Sequence, residues 1–127
     1  MSRLKVSSGG KWEATVGYSR AVRVGNHIFV AGTTAADPDG RTTGDAYAQT
    51  KRIFEIVQRA LETAGASFED VVRTRMYLRD MDDSEAVGRA HGEIFSAIRP
   101  AATMLEVSRF VAPDMLVEIE VDAVIAL

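Results

Sequence analysis

The chain has no cysteine and only two histidines, His27 and His91, among its 127 residues. Without a thiol there is no disulfide framework, no thiolate metal site and no cysteine nucleophile. The two histidines are far apart in sequence and neither stands at helical spacing from a carboxylate pair, so no metal is expected. An excess of basic charge is missing too. Fifteen Lys and Arg against 18 Asp and Glu leave a formal charge of -3, which argues against a broad electropositive surface, and nucleic acid is not expected as the main partner. No run of about 18 uncharged apolar residues occurs, and the opening MSRLKVSSGGKWEATVGYS contains no signal-peptide core. No membrane partner is therefore expected, and the cytoplasm is the expected location. GYSRA lacks the second glycine of a nucleophile elbow and GGK lacks the spacing of a phosphate loop, so acyl transfer and nucleotide hydrolysis have no motif.

What the chain does contain is an ordinary globular balance, 46% hydrophobic and 26% charged. Its length suits one compact domain over 1–127, with residues 1–15 peripheral. Gly25-Asn26 between Arg20–Val24 and His27–Gly32 predicts a tight hairpin, because glycine and asparagine tolerate positive φ. Asp37-Pro38-Asp39-Gly40 is a turn signal. After Gly44, apolar residues at Ala46, Ile53, Phe54, Val57, Ala60, Leu61 and Ala64 predict a helix that Gly65 terminates. Ser67 with Asp70 predicts a capped turn.

Val71 to Arg79 alternates, with Val72, Thr74, Met76 and Leu78 on one face and Arg73, Arg75, Tyr77 and Arg79 on the other. A capping box of Asp82 and Glu85 is expected to start a second helix carrying Val87, Ala90, Ile94, Phe95 and Ile98 and ending at Arg99-Pro100. His91 on this helix is expected at the surface or an interface, with no catalytic role. Strands follow over Ala102–Ser108 and Leu116–Ile125, the latter setting Val117, Ile119, Val121, Ala123 and Ile125 against Glu118, Glu120 and Asp122. The order ββαβαββ predicts an α+β fold with both helices on one sheet face. The other face, with its arginines and acids and with Tyr77 and Met104, reads either as a solvated surface laced with ion pairs or as a polar subunit interface.

Five collinear segments carry a resemblance: GYSRAVRVGNHIFVAGTTA, YAQTKRIFEIVQRALETAGAS, EDVVRTRMYLRDM, RPAATMLEVSRF and LVEIEVDA. Together, from Tyr18 to Ala123, they resemble the RidA/YjgF family. The resemblance implies a chorismate-mutase-like fold packed as a homotrimeric barrel, with small-molecule clefts between subunits. It also implies hydrolysis of reactive imines and enamines, such as 2-aminoacrylate, to a keto acid and ammonia, without a cofactor. Residue by residue, Tyr18 matches the family's cleft tyrosine, Gly32 the glycine of its SGQ motif, and Glu118 the glutamate expected to position water.

Other positions depart from the pattern. Ala31 and Thr33 replace the serine and glutamine of SGQ, Gly88 stands for an asparagine, and Pro100-Ala101-Ala102 replaces proline-alanine-arginine. The loss matters because a guanidinium fork is what holds a substrate carboxylate. Arg75 is the first candidate to replace it, with Arg20 and Arg99 behind it; the alternative for Arg75 is an ion pair with Glu118 or Glu120. Ala31, Ala102 and Met104 imply a roomier, more apolar cleft suited to a larger or uncharged molecule. The candidate set is thus Glu118 as the catalytic group, with Tyr18, Gly32, Thr33, Arg75, Ala102 and Met104 around the substrate. The competing readings are a non-catalytic trimer that binds a metabolite or partner, and, ranked last, an endoribonuclease or translation inhibitor.

Overall fold

The computed structural model describes residues 2–126. Six strands form one sheet: β1 (Arg3–Val6), β2 (Ala21–Val24), β3 (His27–Thr33), β4 (Val71–Leu78), β5 (Ala101–Glu106) and β6 (Val117–Val124). Their spatial order is β1-β2-β3-β6-β4-β5, antiparallel throughout except for β4 and β5. Helices α1 (Ala46–Thr63) and α2 (Ser84–Phe95) pack on each other, and α1 packs on β3 and β6. The expected α+β architecture with two helices is present, and β1 is a strand the sequence reading lacked. Four residues with a single buried side chain, Val6, give too short an alternation to read.

The local signals mostly act as read. Val24 and His27 pair across the hairpin turn, where Gly25 alone takes positive φ, at 61°. Gly40 closes the Asp37 turn with φ 88°, and Asp37 Oδ1 accepts the N–H groups of Asp39 and Arg41. All seven apolar positions predicted for α1 are buried, and Asp45 caps the helix by accepting the Ala48 N–H at 2.9 Å. Ser67 N–H donates to Asp70, as a capped turn requires.

Four expectations are corrected. Val72 is 46% exposed whereas Val71 is buried, because a bulge between Val71 and Arg73 inserts one residue against β6 and turns Val72 outward. The Asp82–Glu85 box is replaced by a turn over Met81–Asp83, in which Asp80 accepts the Asp82 N–H. Asp82 therefore lies inside that turn and cannot cap α2. Met104 does not lie on the open face: it pairs with Met76 in register and packs against the core. A parallel neighbour at the same level projects to the same side, and Met76 is a core residue.

The fourth correction concerns His91, which is half-buried in the core between Phe54 and Phe95, with ring centroids 5.9 and 4.7 Å away. Its Nε2 lies 2.9 Å from the hydroxyl of fully buried Thr74. Burial lowers the His91 pKa from its ordinary value. A depressed folded-state pKa means that the unfolded chain binds the proton more readily. This contribution to stability is therefore complete above the unfolded value of about 6.5 and is lost as pH falls through the folded value. Urea midpoints measured from pH 7 down to pH 5 should fall less steeply for His91→Gln than for the native chain.

The sheet face away from the helices is polar and only partly covered. Tyr77 Oη donates to Glu120 Oε1 at 2.5 Å, and Arg75 Nη1 reaches Asp122 Oδ2 at 3.3 Å. Arg75 thus forms an ion pair, but with Asp122 instead of Glu118 or Glu120. Its register partner Glu120 accepts the Tyr77 hydroxyl. Phe29 and Leu105, on this face by register, are among the exposed large apolar residues.

Candidate functional site

The site forms where β3 ends beside the start of β6. The β3–β6 register slips between Val30 and Thr33, so Thr33 pairs with Ile119 and Gly32 is brought against Glu118. An ideal Cβ on Gly32 would lie 2.6 Å from Glu118 Oε2, which means that the carboxylate occupies the space of a side chain. Burial raises the Glu118 pKa, the charge of Glu120 raises it further, and Arg20 partly opposes both. No hydrogen bond among the described residues contributes to holding this carboxylate in its ionised form. A half-buried carboxylate without a fixed donor can take a proton from water or give one back.

Arg20, placed just before β2, organises the surroundings. It is 7% exposed, and its guanidinium donates through Nε to Ser8 Oγ, through Nη1 to Gly32 O and Thr33 Oγ1, and through Nη2 to Tyr18 Oη. Glu13 Oε2 lies 3.9 Å from Nη2. Tyr18 Oη accepts from Arg20, so its own hydrogen remains free to donate. Thr33 is buried, and its hydroxyl is committed to Arg20 and to Ala31 O.

The segment from Ser7 to Gly17, peripheral in the sequence reading, is a strap along this site. Glu13 Oε2 gathers the Ser8 hydroxyl at 2.6 Å and the N–H groups of Ser8 and Gly10 at 3.2 Å. Burial alone would raise this carboxyl, but those bonds outweigh it and hold Glu13 below the ordinary carboxylate value.

Together these elements enclose a cavity of about 780 Å³, whose lining includes Tyr18, Arg20, Gly32, Thr33, Glu118 and Glu120. Four of the sequence-predicted residues, Tyr18, Gly32, Thr33 and Glu118, therefore share one space. Arg75, Ala102 and Met104 do not line it. Ala102 is exposed on the edge strand β5, with β4 between it and β6, hence about 10 Å from β6 across the sheet. Its register partner Thr74 pairs with Val121, three residues beyond Glu118. Within one chain, Ala102 and Glu118 belong to different places. Among the described residues no cluster of three His, Asp or Glu could hold a metal, and no helix is long and apolar enough to cross a membrane.

The sequence model described as Endoribonuclease L-PSP matches residues 10–125. The chain belongs to this family, RidA/YjgF. An uncharacterised Streptomyces coelicolor protein is 43% identical over 120 residues, covering 94% of this chain and 90% of its own. The 3-aminoacrylate deaminase RutC of Acinetobacter baylyi is 35% identical over 104 residues, covering 80% of this chain and 82% of its own. The crystal structure of a YjgF/YER057c/UK114 family member from Mycobacterium tuberculosis superposes with TM-score 0.90 at 46% identity, over 98% of this chain and all of that one. The RidA/YjgF match runs through the strap as well as the sheet, and the fold is that of the YjgF neighbours.

Proposed function

We propose that this protein hydrolyses an imine or enamine without a cofactor, with Glu118 orienting and deprotonating the attacking water. The observation that carries this reading is the half-buried Glu118 carboxylate, raised in pKa and unclamped, facing a cavity beside Tyr18. Its similarity to a protein named 3-aminoacrylate deaminase supports the same chemistry. Water adds to the imine carbon as Glu118 takes its proton. The proton then passes to nitrogen to give a carbinolamine, whose hydroxyl gives up its own proton to nitrogen as the carbon–nitrogen bond breaks, so that ammonia leaves with a carbonyl product; an enamine joins this path after protonation at its β-carbon and loss of an N–H proton make it an imine. Tyr18, with its hydroxyl hydrogen free, would hold the polar end of the substrate.

The cleft is completed by neighbouring copies in a homotrimer. The free edge of β5 and the half-covered face bearing Arg75, Tyr77, Phe29 and Leu105 are the surfaces offered to them. Ala102 would reach a Glu118 only across such a contact. Because alanine cannot hold a carboxylate, a standard 2-imino acid is a poor substrate in this reading. The same alanine favours the second reading, a trimer that binds a metabolite without turnover.

The test is ammonia release from imines and enamines generated in situ, including ones with no carboxylate on the reacting carbon. Glu118→Gln should remove the acceleration while light scattering still finds the native assembly; unchanged turnover would eliminate Glu118 as the base. The pH profile adds a sharper test. A base must be ionised, so activity should fall on the acid side as pH drops through the raised Glu118 pKa. Glu120→Gln removes a like charge and should move that limb to lower pH.

A further inference from the structure

The cavity continues beyond Glu118 to the flank of α1, where Arg52, Ile56 and Arg59 line it together with Lys11 of the strap. Spacings of four and three residues put the α1 residues on one stripe, with the two arginines about 10 Å apart along the axis and Ile56 between them. Lys11 Nζ, 4.7 Å over the Trp12 ring and against Gly40 of the Asp37 turn, lines the same cavity. Two acids are near this wall. Glu55 approaches Arg52 at 3.8 Å on the exposed helix surface, where such pairs are weak. Asp37 also lines the cavity, but its Oδ1 is already engaged by the backbone of its own turn.

The Glu118 end has the opposite character. Two carboxylates, Glu118 and Glu120, face the space, and the guanidinium there is spent. Nε, Nη1 and Nη2 of Arg20 are bound to Ser8, Gly32, Thr33 and Tyr18, and Glu13 lies beside Nη2. A ligand carboxylate placed here would meet like charge and find no guanidinium free to fork it. Elsewhere in the lining it would find three cations, Arg52 and Arg59 on α1 and Lys11 on the strap.

We propose that the cavity takes an elongated nitrogen compound whose amine, imine or enamine end lies at Glu118 and whose anionic group, several bonds away, is held by Lys11, Arg52 and Arg59. The substrate class is then a chain with separated nitrogen and anion, in contrast to a 2-imino acid in which the two are adjacent. This inference rests on the reading of Glu118 as the group at the reacting carbon.

Unreactive ω-aminocarboxylates test it: glycine, β-alanine and their four-, five- and six-carbon homologues, titrated calorimetrically into the full-length protein. Affinity should rise about tenfold or more along the series, and added salt should weaken the longest member most. The double variant Arg52→Gln/Arg59→Gln should lose that gain, binding the longest member about tenfold more weakly and the shortest unchanged. A flat series, no binding by any member, or a gain that survives the double variant would overturn the proposal. Turnover by Glu118→Gln is read separately. Length-dependent binding with no turnover in the native protein would keep the cationic wall and discard hydrolysis, whereas Glu118-dependent turnover with a flat series would do the reverse.

Discussion

Arg20→Met is expected to lower folding stability by about 3–5 kcal/mol, the range for removing one partner from a buried charged network. The guanidinium ties three separate pieces of chain together: the strap through Ser8, the end of β3 through Gly32 and Thr33, and Tyr18 in the cavity wall. Methionine fills similar volume but donates nothing. The Gly32 carbonyl and the Thr33 and Tyr18 oxygens would lose a donor, and the buried Glu13 carboxylate would lose its nearest cation. Single-domain proteins are stable by only about 5–15 kcal/mol, so this loss would show as a large fall in the urea midpoint. Arg20→Lys keeps the charge but cannot serve all the acceptors at once, and should fall between the two. Removing the positive charge also leaves Glu118 with only the influences that raise its pKa, so the acid limb of activity should move to higher pH in Arg20→Met. A midpoint equal to the native one would show that the guanidinium does not hold the strap.

Arg20 also illustrates what the sequence can and cannot disclose. The helices and inner strands were legible because their information is local: a 3.6-residue stripe from Ala46 to Ala64 and a two-residue alternation from Val117 to Ala123 are self-contained patterns whose buried positions follow directly. Val72 was misplaced because a bulge is a property of pairing with β6 and leaves no mark in the alternation of β4 alone. His91 was misplaced because a polar ring on a helix gives no sign that Thr74, Phe54 and Phe95 converge on it.

The site divides along the same line. Tyr18, Gly32 and Glu118 could be named from the family pattern, and they do line one cavity. Arg20 was only a secondary candidate, as a substrate anchor, because all its acceptors except Tyr18 lie 12 or 13 residues away, on both sides. The strap read as a peripheral glycine-rich stretch, since nothing in SSGGK predicts that Glu13 gathers its backbone amides. Arg75, favoured in the sequence as the replacement anchor, is turned to Asp122 and lies outside the cavity lining.

Gly32→Ala is expected to cost about a hundredfold in turnover, because a catalytic group displaced by about 1 Å loses that much. Glycine is not needed here for its backbone freedom, since Gly32 is not among the residues with positive φ. The conflict is with a single group, Glu118, whose Oε2 and Cδ would lie 2.6 and 3.2 Å from the new methyl. The carboxylate must therefore swing away, and the backbone need not. Stability should change by no more than about 1 kcal/mol, since the clash falls on the far end of a side chain instead of the core. That separates this variant from Arg20→Met, in which the fold itself weakens. Glu118→Asp withdraws the carboxylate by one methylene, so alone it should impair turnover, yet in the Gly32→Ala background it should restore part of what the methyl removed. Such coupling between neighbours is what a double-mutant cycle measures. If the double variant instead lost activity in proportion to both single changes, Gly32 would act through something other than the position of Glu118.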